Sequence, residues 1–234
     1  MQAYQSDKPL IFSHIPKTAG SSVSEIFRSW FGEGFLPHYA RDNLPERHDL
    51  EEQSRRHRVV IYGHFNSAKG FGQVDYYPNV RQTVTILRDP LERMISNYYF
   101  RRLKADKIPQ FRASAKMTLE DFLSGWPYED PNMGPPMAAF MPQPCTLNNY
   151  TDLLEEYFVA LGVTEQLDRS LDVFARAFGF ERATGDLKHV NAAPRDTQPL
   201  GINLDDFRER ARLDYALYDY AAAWLKQQPN TGAK

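Results

Sequence analysis

Three stretches of the chain gather side chains that handle negative charge and protons. In "SHIPKTAGSS" (13–22), Lys17 carries a full positive charge, Thr18, Ser21 and Ser22 offer hydroxyl donors, and Gly20 lets the backbone come close to a ligand. In "LRDPLERMISNYY" (87–99), Ser96 follows Arg88 by two helical turns, so that a guanidinium and a hydroxyl can face one anion. Arg93 either joins them or pairs with Glu92 or Asp89. The third stretch, "VVIYGHF" (59–65), ends on His64, whose ordinary pKa of about 6.5 suits proton abstraction near neutrality.

The elements that must position these groups follow from the hydrophobic pattern. Residues 10–15 are short, apolar and bounded by Pro9 and Pro16, which reads as a buried strand. Val23, Ile26, Phe27 and Trp30 then recur at helical spacing, with Ser21, Ser22 or Ser24 as the cap. A loop between strand and helix exposes unpaired N–H groups at the positive end of the helix dipole, which makes "PKTAGSS" a phosphate cradle on chemical grounds. The plain alternative is a helix cap with a solvated lysine. The loop is not a Walker A sequence, because here the lysine precedes the glycine.

Residues 84–88 read as a second strand that feeds a helix capped by Asp89 with Pro90 at its first position. Two anion sites at two strand ends suit a ligand with phosphates at two positions. Further along, Thr118 caps a short helix, "YFVALGV" (157–163) is a strand, Thr164 caps the next helix, and Gly179 ends it. Residues 204–228 read as one helix. Residues 32–58 are read as a long connection with one short helix, and the proline-rich 128–145 as an excursion over the substrate side. Strands alternating with helices imply an α/β fold, a single domain with a mostly parallel central sheet flanked by helices, and a ligand at the carboxyl ends of the strands.

Composition narrows the function. With 234 residues, 42% hydrophobic, the chain can bury one sizeable core. A net charge of −2 argues against a nucleic-acid partner, so an anionic ligand must be met by local charge. The single cysteine, Cys145, excludes an intrachain disulfide framework and a multi-cysteine zinc site. No secretory pattern and no stretch of about 18 apolar residues stands out, so the expectation is a cytoplasmic protein without a membrane anchor. A domain trimmed from an anchored protein would read the same way.

"HIPKTAGSS" and "LRDPLERMISNYY" resemble the 5′-phosphosulfate loop and the 3′-phosphate element of sulfotransferases that use 3′-phosphoadenosine-5′-phosphosulfate (PAPS). The resemblance is to the carbohydrate branch that includes heparan sulfate and uronyl 2-O-sulfotransferases and short bacterial members. "IYGHFN", "FVALGVTEQLDRSLDVF", "KHVNAAP" and "LDYALYDYA" follow that branch in order, over roughly residues 10–225. This implies a P-loop-NTPase-like sulfotransferase domain over 1–234 with flexible ends at 1–8 and 229–234. Carried over, Lys17 contacts the leaving phosphate, and Thr18, Ala19, Gly20, Ser21 and Ser22 hold the 5′-phosphosulfate. Arg88 and Ser96 hold the 3′-phosphate, and residues 188–195 form a loop over the donor.

The implied reaction moves a sulfuryl group from PAPS to a hydroxyl of a sugar or glycoconjugate and releases adenosine 3′,5′-bisphosphate (PAP). The transferred group carries less negative charge than a phosphoryl group, so a lysine and backbone donors suffice and no metal is expected. The branch proposes a histidine at the position of His64 as base, with His14 as the rival here. Where the heparan enzymes read His-Gly-His, this chain has Tyr62-Gly63-His64. Tyr62 shares a face with His64 and is a candidate acceptor contact, but with a reference pKa of about 10 it is no equivalent base. Two other readings stay open: a P-loop nucleotide kinase or NTPase, and a noncatalytic PAP-binding protein. Met133, Met137 and Met141 are candidates for an apolar acceptor entrance, while Arg55–Arg58, the basic run 101–107 and the helical tyrosines read as solvated or packing residues.

Overall fold

The computed structural model describes residues 1–40, 44–126, 134–181 and 201–229. Five strands, β1 (Leu10–Ser13), β2 (Phe35–His38), β3 (Val60–Gly63), β4 (Gln82–Leu87) and β5 (Phe158–Val163), form one sheet in the order β2-β3-β1-β4-β5. Every pairing is parallel, as the alternation of elements implied. Each residue of β1, β3, β4 and β5 is buried, which a parallel sheet requires once helices cover both faces.

Nine α-helices lie among the described residues: α1 (Gly20–Phe31), α2 (Leu50–Arg56), α3 (Gln73–Tyr76), α4 (Pro90–Lys104), α5 (Leu119–Gly125), α6 (Tyr150–Tyr157), α7 (Leu167–Phe178), α8 (Leu204–Arg210) and α9 (Arg212–Gln227). Alternation along β1 sends Phe12 to one face, where it packs with Val23 and Phe27 of α1 and Phe174 of α7. Ile11 points to the other face, among Leu36, Ile61 and Phe65. Nearer β5, Leu161 packs with Leu154 of α6 and with Leu217 and Leu225 of α9. Burying each such side chain contributes about 1.5–3 kcal/mol, and the two layers together fix where the strand ends point.

The register decides the chemistry that follows. Ser13 pairs with Gly63, and Gly63 pairs with His38, so the next residue of each strand, His14, His64 and Tyr39, emerges side by side at the carboxyl edge. Gly63 is required there, since a Cβ would lie 1.8 Å from the His38 carbonyl oxygen.

Five expectations need correction. Thr164 does not cap α7, whose cap is Gln166; its hydroxyl donates instead to the Leu87 carbonyl at 3.1 Å. The connection 32–58 contains β2, an edge strand whose exposed Pro37 needs no ladder partner on its outer side. The C-terminal helix is two helices, broken at Ala211. No serine caps α1; its cap is Ala19 in a left-handed conformation, without a side-chain hydrogen bond. Near the N-terminus, Gln2 Nε2 donates to the carbonyls of Glu156 and Tyr157 at 3.0 and 3.1 Å, and the Gln5 N–H donates to Gln82 Oε1 at 2.6 Å. Met137 and Met141 are fully buried in the core rather than lining an entrance. Met133, residues 188–195 and residues 230–234 lie outside the described residues.

The caps of the middle helices match their signals. Asp89 accepts from the Glu92 N–H at 2.9 Å with Pro90 opening α4, Thr118 accepts from the Asp121 N–H at 3.0 Å, and Gly179 ends α7 with φ 68°. Arg93 turns away from the strand ends and pairs with Asp214 of α9 at 3.6 Å, both wholly buried. Asp214 also accepts from the N–H groups of Met137 and Ala138, and Arg93 donates to the Pro135 carbonyl at 2.9 Å. This buried pair fastens α4, α9 and the turn at 137–140 together, which is why Arg93 is not part of an anion site.

Candidate active site

Between β1 and α1 the chain makes a tight loop in which two non-glycine residues, Lys17 and Ala19, have positive φ, 73° and 61°. Such conformations cost about 1–3 kcal/mol each and are held by surrounding contacts. Here three contacts hold the loop. The Thr18 hydroxyl donates to the Ile15 carbonyl at 2.8 Å, the buried Tyr62 hydroxyl donates to the Gly20 carbonyl at 2.9 Å, and Arg88 donates to the Lys17 carbonyl at 3.2 Å. Backbone that alternates in this way turns successive N–H groups inward, and the first turn of α1 adds N–H groups with no helical carbonyl to bond. The loop thus sits at the positive end of a 12-residue helix, an environment whose chemistry suits an anion.

The side chains of the loop divide their tasks differently from the expectation. Thr18 is buried and its hydroxyl proton is committed to Ile15, so only its backbone is placed for an anion. Ser21 is exposed and Ser22 half-buried on the first turn. Gly20 makes room for His14, because a Cβ there would lie 1.6 Å from His14 Nε2. Lys17 places its ammonium 4.1 Å from the centre of the Phe100 ring on α4, one turn beyond Ser96. A cation–π contact of this kind contributes about 0.5–2 kcal/mol and keeps the charge beside the loop.

Arg88, directly after β4, also pairs with Glu92 at 3.4 Å. It thereby joins the two sequence motifs, since the same guanidinium reaches the Lys17 carbonyl. Ser96 is half-buried on the helix that Arg88 precedes.

His64 follows β3 and its Nδ1 lies 2.5 Å from the His14 carbonyl oxygen. A carbonyl only accepts, so Nδ1 carries the proton and Nε2 holds the free electron pair. Burial lowers the His64 pKa from its ordinary value, partly offset by this hydrogen bond, and leaves the ring neutral at pH 7. His14 is lowered further, by burial first and then by the charges of His64 and Lys17. Its Nδ1 is 2.9 Å from the Tyr39 hydroxyl. The two imidazoles lie 4.5 Å apart, with Tyr39 edge-on to His64 at 4.9 Å and Phe140 at 6.4 Å. The Phe140 carbonyl accepts from Ser13 Oγ at 2.8 Å, which brings the proline-rich excursion against the end of β1.

A model of the sulfotransferase family matches residues 3–197. The chain belongs to that family. A search among curated proteins gave no match. Among solved structures, the crystal structure of mouse sulfotransferase SULT7A1 complexed with PAP is similar in fold, with a TM-score of 0.51 and 14% identity over 93% of this chain and 89% of that one.

Strand register thus sets the loop after β1 beside a neutral histidine at the end of β3. Tyr62 departs from its expected place: fully buried, stacked on Phe12 at 4.4 Å and bonded to Gly20, it cannot touch an acceptor and instead pins the loop. Two neighbours escaped the sequence reading, Tyr39 and Phe100. Tyr39 was hidden with the unrecognised β2, whereas Phe100 stood four residues after Ser96 and was legible from helical spacing. Among the described residues no helix is long and apolar enough to cross a membrane.

Proposed function

We propose that this sulfotransferase moves the sulfuryl group of PAPS to a hydroxyl of a sugar or glycoconjugate and releases PAP. The acceptor oxygen forms a bond to sulfur while the bond from sulfur to the phosphate oxygen breaks, and the leaving phosphate keeps that electron pair. The acceptor's proton passes to His64 Nε2. What carries the assignment of the base is the His64 Nδ1 contact to the His14 carbonyl, which leaves Nε2 as the basic atom of a neutral ring. In His14, by contrast, Nδ1 is bonded to the Tyr39 hydroxyl and Nε2 faces Gly20.

The loop after β1 suits the donor's 5′ end. Backbone N–H groups of Lys17, Thr18, Ala19 and Gly20, with the hydroxyls of Ser21 and Ser22, hold the phosphosulfate, and the Lys17 ammonium meets charge growing on the leaving oxygen. Arg88 and Ser96 hold the 3′-phosphate. We read residues 1–234 as one such domain.

Arg88→Ala tests the donor assignment. PAP is expected to bind roughly 10–100-fold more weakly, the worth of a charge-assisted hydrogen bond, while adenosine 5′-phosphosulfate, which lacks the 3′-phosphate, loses far less. Calorimetric titration of both ligands checks this. Equal losses would show that Arg88 acts only by holding the Lys17 carbonyl.

A further inference from the structure

Resting on the reading of His64 as base, we infer that Tyr39 is a positioning residue: its hydroxyl donates to His14 Nδ1 and occupies that nitrogen, so that the acceptor's proton goes to His64 alone. Two imidazoles 4.5 Å apart form one coupled proton site unless something separates their roles. A proton on His14 would oppose a second one on His64 and suppress its basicity.

The direction of the Tyr39 hydrogen bond follows from counting partners. Among the described residues the Tyr39 hydroxyl is bonded to His14 Nδ1 at 2.9 Å and to no other group. If Nδ1 carried the hydrogen, the phenolic hydrogen would have no protein acceptor among the described residues, so the phenol donates. Burial also raises the Tyr39 pKa well above its ordinary value, partly offset by Arg28 of α1, which keeps that hydrogen in place at any working pH. His14 then carries its own proton on Nε2, the nitrogen that faces Gly20.

The other titratable groups facing this pair are Lys17 on the loop and Tyr62 of β3, whose ring is 5.6 Å from His14. Lys17 disfavours a proton on His14, and Tyr62 is held protonated by its burial. Beside burial and Lys17, which both disfavour a proton on His14, Tyr39 is the group that occupies Nδ1. The arrangement arises from register: His38, Gly63 and Ser13 are paired across three strands, and the residue after each forms the triad.

The test uses the full chain and Tyr39→Phe, which keeps the ring against His64. Imidazole ¹⁵N shifts of the wild type are expected to show His14 protonated at Nε2 only. In the variant, the acid limb of kcat/KM is expected to move up by about one pH unit, which approaches a roughly tenfold lower rate only at pH values below the wild-type limb, with the alkaline rate and PAP affinity within about threefold. A wild-type His14 protonated at Nδ1, or an acid limb unmoved in the variant, would overturn the inference. Full activity in a His64 variant would instead remove the base assignment while leaving the His14 tautomer readable, so the two failures are distinguishable.

Discussion

Replacing His64 with asparagine is expected to lower sulfuryl transfer by roughly 10²–10⁴ while leaving PAP binding unchanged. The asparagine amide can still donate toward the His14 carbonyl, which His64 Nδ1 reaches at 2.5 Å, so the edge of the sheet keeps its local hydrogen bond. What disappears is the basic nitrogen. The loss should fall on kcat, because proton transfer matters as the acceptor oxygen attacks and not while the donor binds. Because burial keeps the wild-type ring neutral below its ordinary pKa, wild-type activity should persist below pH 6.5 and fall as His64 takes up a proton at lower pH. Single-turnover rates over pH 5–9, with PAP titrated in parallel, provide the check. Wild-type rates in the variant would leave the reaction without its base.

Lys17→Met should reduce kcat by roughly 10²–10³, the usual cost of losing a donor to charge that develops in the transition state. Methionine keeps most of the stem beside Phe100, where the ammonium now lies 4.1 Å from the ring centre, and removes only the charge. Its backbone must still hold φ 73°, a conformation equally strained for both residues, so the shape of the loop should survive. PAP binding should weaken much less than turnover, because the N–H groups of the loop remain. Steady-state kinetics set against PAP affinity separate the two effects. A change confined to KM would mean that Lys17 only holds the donor in its ground state.

Much of this was legible in the residues, for identifiable reasons. β1, β3, β4 and β5 are buried on both faces and therefore read as continuous β-branched or aromatic runs, and the caps at Asp89, Thr118 and Gly179 carry local signals. β2 was not legible, because an edge strand of four residues with a proline in it looks like a connection. With it went Tyr39. The break at Ala211 has neither glycine nor proline to announce it. The strained loop conformation was equally silent, since Lys17 and Ala19 are not residues that favour positive φ; tertiary contacts impose it. Tyr62 and His64 do share a strand face, but Tyr62 lies within the sheet and His64 one residue past it, so one packs on Phe12 while the other reaches the edge. Arg93 shows the limit of motif reasoning, because its partner Asp214 is 121 positions away in sequence and only the packing of α4 on α9 reveals it.

The most direct test of the account is thermal unfolding of the full chain with PAP, with ATP plus magnesium, and without ligand. PAP at 1,000 times its dissociation constant adds about 4 kcal/mol, which for a chain of this size raises the midpoint by roughly 8 °C or more. The account predicts that shift with PAP and little with ATP plus magnesium. A shift with ATP plus magnesium and none with PAP would contradict it, and the loop from Lys17 to Ser22 would then be a receptor for a different phosphate ligand.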